Sequence, residues 1–273
     1  MIRRFFISLL VGLALPTPHD AQVAPGTTTA LEVAVEDAAA LWSRHDGTGF
    51  ANDVVRAAFH AVGVEVTLRV VPYARCKQLV IEGAVPACFS MSRDPALKGV
   101  VLFPSMPILV CYADLVQDPA RPVRATRLRD LPRGTVVGTV LGYEYPDAVR
   151  EAVKTGAIVL DEAPSEDMLL RKLAAGRLPV ALVNVNDNKS VGYLSALAQI
   201  AKPAVRVERV GALESFVGFS ARHARGPWAL KKYEEGMRLI GASGTLTAIT
   251  RRWADSSQAA IRTARPETSR PRP

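Results

Sequence analysis

Val70–Ser105 reads VVPYARCKQLVIEGAVPACFSMSRDPALKGVVLFPS. Val70 and Val71 close an apolar run, and Pro72 stops it and leads into a helix with Leu79 and Val80 on one face. Gly83 marks the helix end, where a residue free of the Cβ penalty is favoured. Ala87-Cys88-Phe89 is a short buried strand, and Ser90-Met91-Ser92-Arg93-Asp94-Pro95 is a polar loop at its C-terminal end. In open α/β sheets ligands bind at that end of a strand. The same pattern also describes an ordinary β-α-β unit with a hydrated loop, so the rest of the chain must decide.

Upstream, Leu31–Val35 alternates as a strand and opens into Glu36-Asp37. A loop containing Trp42 and the turn Asp46-Gly47 follows. Val54, Val55, Ala58 and Phe59 have the spacing of an amphipathic helix over Phe50–Ala61, and Val64–Val70 alternates again. Downstream, Val100–Phe103 and Ile108–Val116 are strand candidates, and Gln117–Arg129 is a Pro- and Arg-rich exposed connection. The strand–helix rhythm then repeats. Strands are expected at Thr135–Gly138, Ile158–Leu160 and Val180–Val183, the last ending in the polar loop Asn184–Asn188. Helices are expected from Tyr145-Pro146 to Thr155 and over Glu166–Ala175. Val205–Val210 and Phe216–Phe219 read as two further strands, Pro227–Ile240 as a long helix and Thr245–Trp253 as a last short one.

The chain of 273 residues has room for one large domain or two ordinary ones. Its start reads as a signal peptide over residues 1–24: Arg3-Arg4, then an apolar run from Phe5 to Leu15, then small residues up to Ala24. That run, about eleven residues, is too short to span a bilayer. The net charge of +8 is uneven: Arg3, Arg4 and Asp20 contribute +1, and the segment after Asp255 +3, leaving +4 for the body. No dense basic stripe interleaved with aromatics points to nucleic acid. A mildly basic cleft would suit an anionic ligand. Of the three cysteines, Cys76 begins a helix and Cys88 lies in the next strand, so a helix-to-strand disulfide is one reading. Three buried thiols acting as small hydrophobes is the other.

These features in order resemble the family 3 extracellular solute-binding proteins of bacterial ABC importers, the polar-amino-acid type, over Leu31 to Trp253. The carriers are Trp42 with Gly49-Phe50-Ala51-Asn52-Asp53-Val54, Tyr73-Ala74-Arg75 with Leu79 and Gly83, and Met91–Pro95 with Phe103. Val137-Gly138 to Gly142, Leu173-Ala174-Ala175-Gly176-Arg177 and Gly244-Thr245-Leu246 to Trp253 complete them. The resemblance implies an α/β fold, a periplasmic-binding-protein-like clamshell of two α/β lobes joined by two hinge strands, Ile108–Val116 and Val205–Val210. Lobe 1 would comprise 25–112 and 209–255, lobe 2 113–208, with 256–273 a disordered tail. It further implies a monomer exported to the periplasm that captures a small polar or anionic solute and delivers it to an ABC permease, with no catalysis, no cofactor and no membrane insertion after signal cleavage. A sensor or accessory protein, or a dehydratase-like enzyme with Glu144 or Asp187 as acid or base, are the alternatives on the same fold.

The candidate ligand-binding residues are Asp37, Trp42, Tyr73, Ser90, Met91, Ser92, Arg93, Gly142, Tyr143 and Asn184. Trp42 and Tyr73 read either as an aromatic platform or as core. The backbone of Gly142-Tyr143-Glu144 would hold an anion at a helix start. Two departures from the family pattern bear on the ligand. Leu97 stands where the family has its carboxylate-gripping arginine, and Asn184 where it has an ammonium-gripping aspartate. Leucine offers no fork for a carboxylate. Arg93 is either a substitute cation or a solvated loop residue, and Arg75 reads as structural.

Overall fold

A computed structural model describes residues 29–264, with side-chain surroundings for 30–259. The expected signal peptide over residues 1–24, residues 25–28 and residues 265–273 lie outside the described part. In chain order the elements are β1 (Thr29–Glu36), α1 (Phe50–His60), β2 (Val64–Val71), α2 (Tyr73–Glu82), β3 (Ala87–Met91), β4 (Val101–Leu102) and β5 (Leu109–Gln117). There follow β6 (Thr135–Val140), α3 (Asp147–Lys154), β7 (Ile158–Ala163), α4 (Glu166–Ala174), β8 (Val180–Val185), α5 (Val191–Leu197), β9 (Val205–Ser220), α6 (Gly226–Ala242) and α7 (Thr245–Ala264).

The strands run in the order β2-β1-β3-β9-β5-β8-β6-β7, with β4 also on β9. Two parallel groups, β2-β1-β3 and β8-β6-β7, are joined through the antiparallel pair β5–β9. Strand composition follows position. β8, between β5 and β6, is VALVNV and buried throughout, as an internal strand covered on both faces must be. Edge strand β2, VEVTLRVV, alternates in burial along its first residues.

β9 is one strand of 16 residues where the sequence suggested two. Its first ten residues are exposed or half-buried beside β5, and its last six are buried beside β3 and β4. Polar Glu208 and Arg209 and the small Gly211-Ala212 interrupt its hydrophobic pattern without ending its ladder, because backbone pairing to β5 continues past them through register shifts at Ala113/Asp114 and Leu115/Val116. Buried Asp114 ties this pair together, accepting from Arg209 Nε at 3.0 Å and Arg206 Nη1 at 3.3 Å.

Local chemistry fixes the helices around this frame. α1 starts at Gly49, where φ is +148° and a Cβ would lie 2.3 Å from the Trp42 carbonyl oxygen. α2 ends on Gly83 in the left-handed region, as its sequence position suggested. α6 crosses α1 so closely that a Cβ on Gly236 would lie 1.8 Å from the Ala58 carbonyl oxygen. α5 escaped the periodicity reading because it is only seven residues long; Ser190 caps it by accepting from Tyr193 N at 3.1 Å.

The last helix also corrects an expectation. Residues 256–264, read as the start of a disordered tail, continue α7. Buried Ser257 holds this part, donating its hydroxyl to the Asn188 carbonyl, so α7 packs on α1 and α6 and also on α5.

Cys76 and Cys88 form a disulfide between α2 and β3, and Cys111 is a buried free thiol. The bridge closes a short loop, with a sequence separation of 12. By chain entropy it contributes about 3 kcal/mol. The double variant Cys76→Ala/Cys88→Ala is expected to lose about that much in urea unfolding, and a loss below 1 kcal/mol would show the bridge to be dispensable.

Candidate functional site

The carboxyl ends of the inner strands converge on one small internal cavity. It is lined by Glu36 from the end of β1, Trp42 from the loop beyond, Ser90 and Ser92 at the end of β3, and Cys111 of β5. From the other group come Tyr143 and Glu144 after β6 and Asn184 of β8, and Ser215 of β9 completes the wall. This is the strand-end position where open α/β sheets hold ligands. The free space is about 20 Å³, room for about one water molecule, because the protein's own side chains fill the cleft.

Those side chains tie the two strand groups together. α2 presents Tyr73 and Lys77, one turn apart and hence on one face, to Glu144. Tyr73 donates its hydroxyl to Glu144 Oε2 at 2.6 Å, and Lys77 Nζ donates to Glu144 Oε1 at 2.9 Å and to the Gly142 carbonyl at 3.0 Å. Tyr143 donates its hydroxyl to Glu36, and its ring meets that of Tyr73 edge-on at 5.2 Å. Ser90 and Ser215 hydroxyls lie 2.8 Å apart.

Beneath the cavity sits a fully buried ion pair. Lys189 Nζ is 2.5 Å from Glu166 Oε2, a close ionic contact outside hydrogen-bond alignment, and lies 3.7 Å from the centre of the Trp42 ring. The other Glu166 oxygen accepts from the Asn184 backbone N–H at 2.9 Å. Two buried polar atoms of cavity-lining residues have no partner: Trp42 Nε1, a donor, and Asn184 Oδ1, an acceptor.

Burial dominates the titration of this cluster. It pushes the Glu36 carboxyl up to about 8, against the opposing effects of the Tyr143 hydrogen bond and of Lys189. Burial, reinforced by the neighbouring carboxylates, holds both Tyr73 and Tyr143 well above the usual phenol range. Burial pushes the Cys111 thiol up to about 12, which leaves it protonated and a poor nucleophile.

Of the ten residues singled out in the sequence, Trp42, Ser90, Ser92, Tyr143 and Asn184 line the cavity, and Tyr73 borders it through Glu144. The other four do not. Met91 is fully buried in one hydrophobic cluster with Leu79 and Val80, its sulfur against Gly218. Asp37 lies just beyond Glu36, half-buried and outside the lining. Arg93 is no cleft cation: it donates to the Pro104 carbonyl at 2.9 Å and stacks 4.4 Å above the Phe216 ring. Gly142 turns at φ +81° against Ala74, outside the lining, and its carbonyl accepts from Lys77.

The anion-binding helix start expected at Gly142-Tyr143-Glu144 is also absent, because Tyr143 N–H is taken by the Val140 carbonyl and α3 begins only at Asp147. Leu97 is buried in the turn Pro95–Leu97. Sequence reasoning missed Glu36, Lys77, Cys111, Glu166, Lys189 and Ser215. The helical spacing of Tyr73 and Lys77 was a usable signal; nothing local marked the Lys189–Glu166 pair.

No protein-family model matches the chain, and no curated protein matches it by sequence. Solved structures do. A histidine kinase sensor domain with similarity to periplasmic binding proteins superposes with a TM-score of 0.70 at 18% identity, covering 82% of this chain and 95% of that one. The fold is that of the two-lobed periplasmic binding proteins. The arginine-, lysine-, histidine-binding protein ArtJ of Geobacillus stearothermophilus matches with a TM-score of 0.66 at 16% identity, over 82% of this chain and 95% of ArtJ. The ancestral amino acid-binding protein AncCDT-1, a precursor of cyclohexadienyl dehydratase, matches with a TM-score of 0.64 at 16% identity over the same shares. No helix among the described residues is long and apolar enough to cross a membrane.

Proposed function

We propose that this protein is a periplasmic solute-binding protein that captures a small polar solute between its lobes and passes it to an ABC importer. The observation that carries the reading is the cavity itself. Its walls come from strand ends of both parallel groups, and the contacts that close it, Tyr143 to Glu36 and Tyr73 to Glu144, cross from one group to the other. A ligand arriving there would compete for those groups and so couple binding to lobe closure. ArtJ, named for binding arginine, lysine and histidine, supports a capture role for this architecture. The sensor domain of the same fold supports a second reading, in which ligand-dependent closure is a signal rather than a delivery step. The lobes are taken as 25–112 with 209–255, and 113–208, hinged at β5 and β9.

A thermal-shift screen of the chain against amino acids, small organic anions and amines tests both readings. A true ligand at 100-fold excess over its Kd stabilises by about 2.7 kcal/mol and raises Tm by several degrees. If no compound in the panel shifts melting, capture of a small solute is refuted.

A further inference from the structure

Not every buried carboxyl group around the cleft has a cation beside it. Three carboxyl groups, Glu36, Glu144 and Glu166, face two ammonium groups, Lys77 and Lys189. Lys77 pairs with Glu144 and Lys189 with Glu166, whereas Glu36, 3% exposed, has no cation within ion-pair distance among the described residues and only the Tyr143 hydroxyl for a partner. Beside it, Asn184 Oδ1 is a buried acceptor without a donor, and Trp42 Nε1 a buried donor without an acceptor. Unsatisfied buried groups of this kind cost free energy that a ligand of complementary chemistry would recover.

We propose that the cleft takes a small primary ammonium ion that carries a neutral acceptor such as a hydroxyl and has no carboxylate. This rests on the solute-binding reading above. The ammonium replaces the Tyr143 hydroxyl at Glu36 and donates to Asn184 Oδ1, and the ligand's hydroxyl accepts from Trp42 Nε1. A carboxylate would find no fork, because Arg93 is committed to the Pro104 carbonyl and Phe216, and no arginine lines the cavity. It would instead meet Glu36 and Glu144. The free space of about 20 Å³ holds about one water molecule as it stands, so the ligand must be small and its entry must displace the Tyr143 side chain.

Binding is then coupled to a proton. Glu36, pushed up to about 8 by burial, is protonated at pH 7 in the free protein, and an ammonium against it favours the carboxylate. Close to one proton should leave per ligand bound at pH 7.

Isothermal titration calorimetry of the full chain with ethanolamine, in two buffers of different ionisation enthalpy, tests this. Saturable binding with release of close to one proton is expected. Glycine and acetate should bind at least tenfold more weakly. Glu36→Gln, whose fold is checked by its melting at pH 5, should lose at least tenfold in affinity and release no proton. Ethanolamine failing while an amino acid or organic anion binds would overturn the ligand class and leave solute capture standing. Unchanged affinity and proton count in Glu36→Gln would overturn the role of Glu36 and with it the proposal. Failure of every compound, ethanolamine included, would overturn both readings.

Discussion

Replacing Lys189 by methionine should cost about 3–5 kcal/mol of stability, because it strips the one cation that pairs, among the described residues, with a fully buried carboxylate. Lys189 and Glu166 side chains are 0% and 2% exposed, so water cannot take over the role of the lost partner. The ammonium also lies against the Trp42 ring, and that contact disappears with it. The cause is separable from simple packing loss. Methionine preserves most of the side chain's volume, and the double variant Lys189→Met/Glu166→Gln removes the stranded charge while keeping an oxygen for the Asn184 N–H. The double variant should therefore recover most of the loss, since uncharged replacements for buried pairs are often close to neutral. Urea midpoints of wild type, single and double variants decide it. A single variant within 1 kcal/mol of wild type would show that the pair contributes little.

The second large effect is on pH. The Glu36 carboxyl is pushed from 4.5 up to about 8 by burial, so the folded protein keeps a proton that the unfolded chain gives up. Below pH 4.5 both states are protonated and this stabilisation is fully present. As pH rises towards 8 the unfolded state binds fewer protons than the folded state, so stability falls. Above pH 8 the full cost is felt, on the order of 5 kcal/mol. The groups facing Glu36 are Tyr143, Lys189, Glu166 and Asp37, and their charges modulate this window. Glu36→Gln mimics the protonated form and has no proton to lose. Wild type and variant should unfold at similar urea concentrations near pH 5 and diverge steadily up to pH 9, where the variant is the more stable. Parallel pH profiles for the two proteins would show that Glu36 does not titrate in this range.

What the sequence revealed and what it concealed divide along physical lines. Hydrophobic periodicity and glycine stops located most elements, because both act within a few residues of chain: Gly83 ends α2 and Gly49 admits α1. The Cys76–Cys88 bridge was legible for the same reason, joining a helix to the strand that follows it. Five of the ten candidate residues line the cavity, most of them from their place at or just after strand ends. Four others lie elsewhere because side-chain direction is decided by tertiary contacts. Arg93 had a free carbonyl and a ring to cover, Met91 had Gly218 to pack on, and the Tyr143 N–H closed a turn. Glu166 and Lys189 lie 23 positions apart with no helical or strand spacing to link them, and only the packing of α4 against the loop after β8 makes them a pair.

The run of α7 past Asp255 has a mechanical consequence. A clamshell joined only by β5 and β9 could rotate about those two strands with little resistance. Here, beyond the side-chain contacts that close the cleft, α7 also spans the gap, since the same helix rests on α1 and α6 and is fastened to the loop before α5 by Ser257. Any widening of the cleft must either part that fastening or drag the end of the helix across its neighbours. For the lobe opening proposed above, these contacts favour a sliding of packed helices coupled to a small bend over free rotation about the strands.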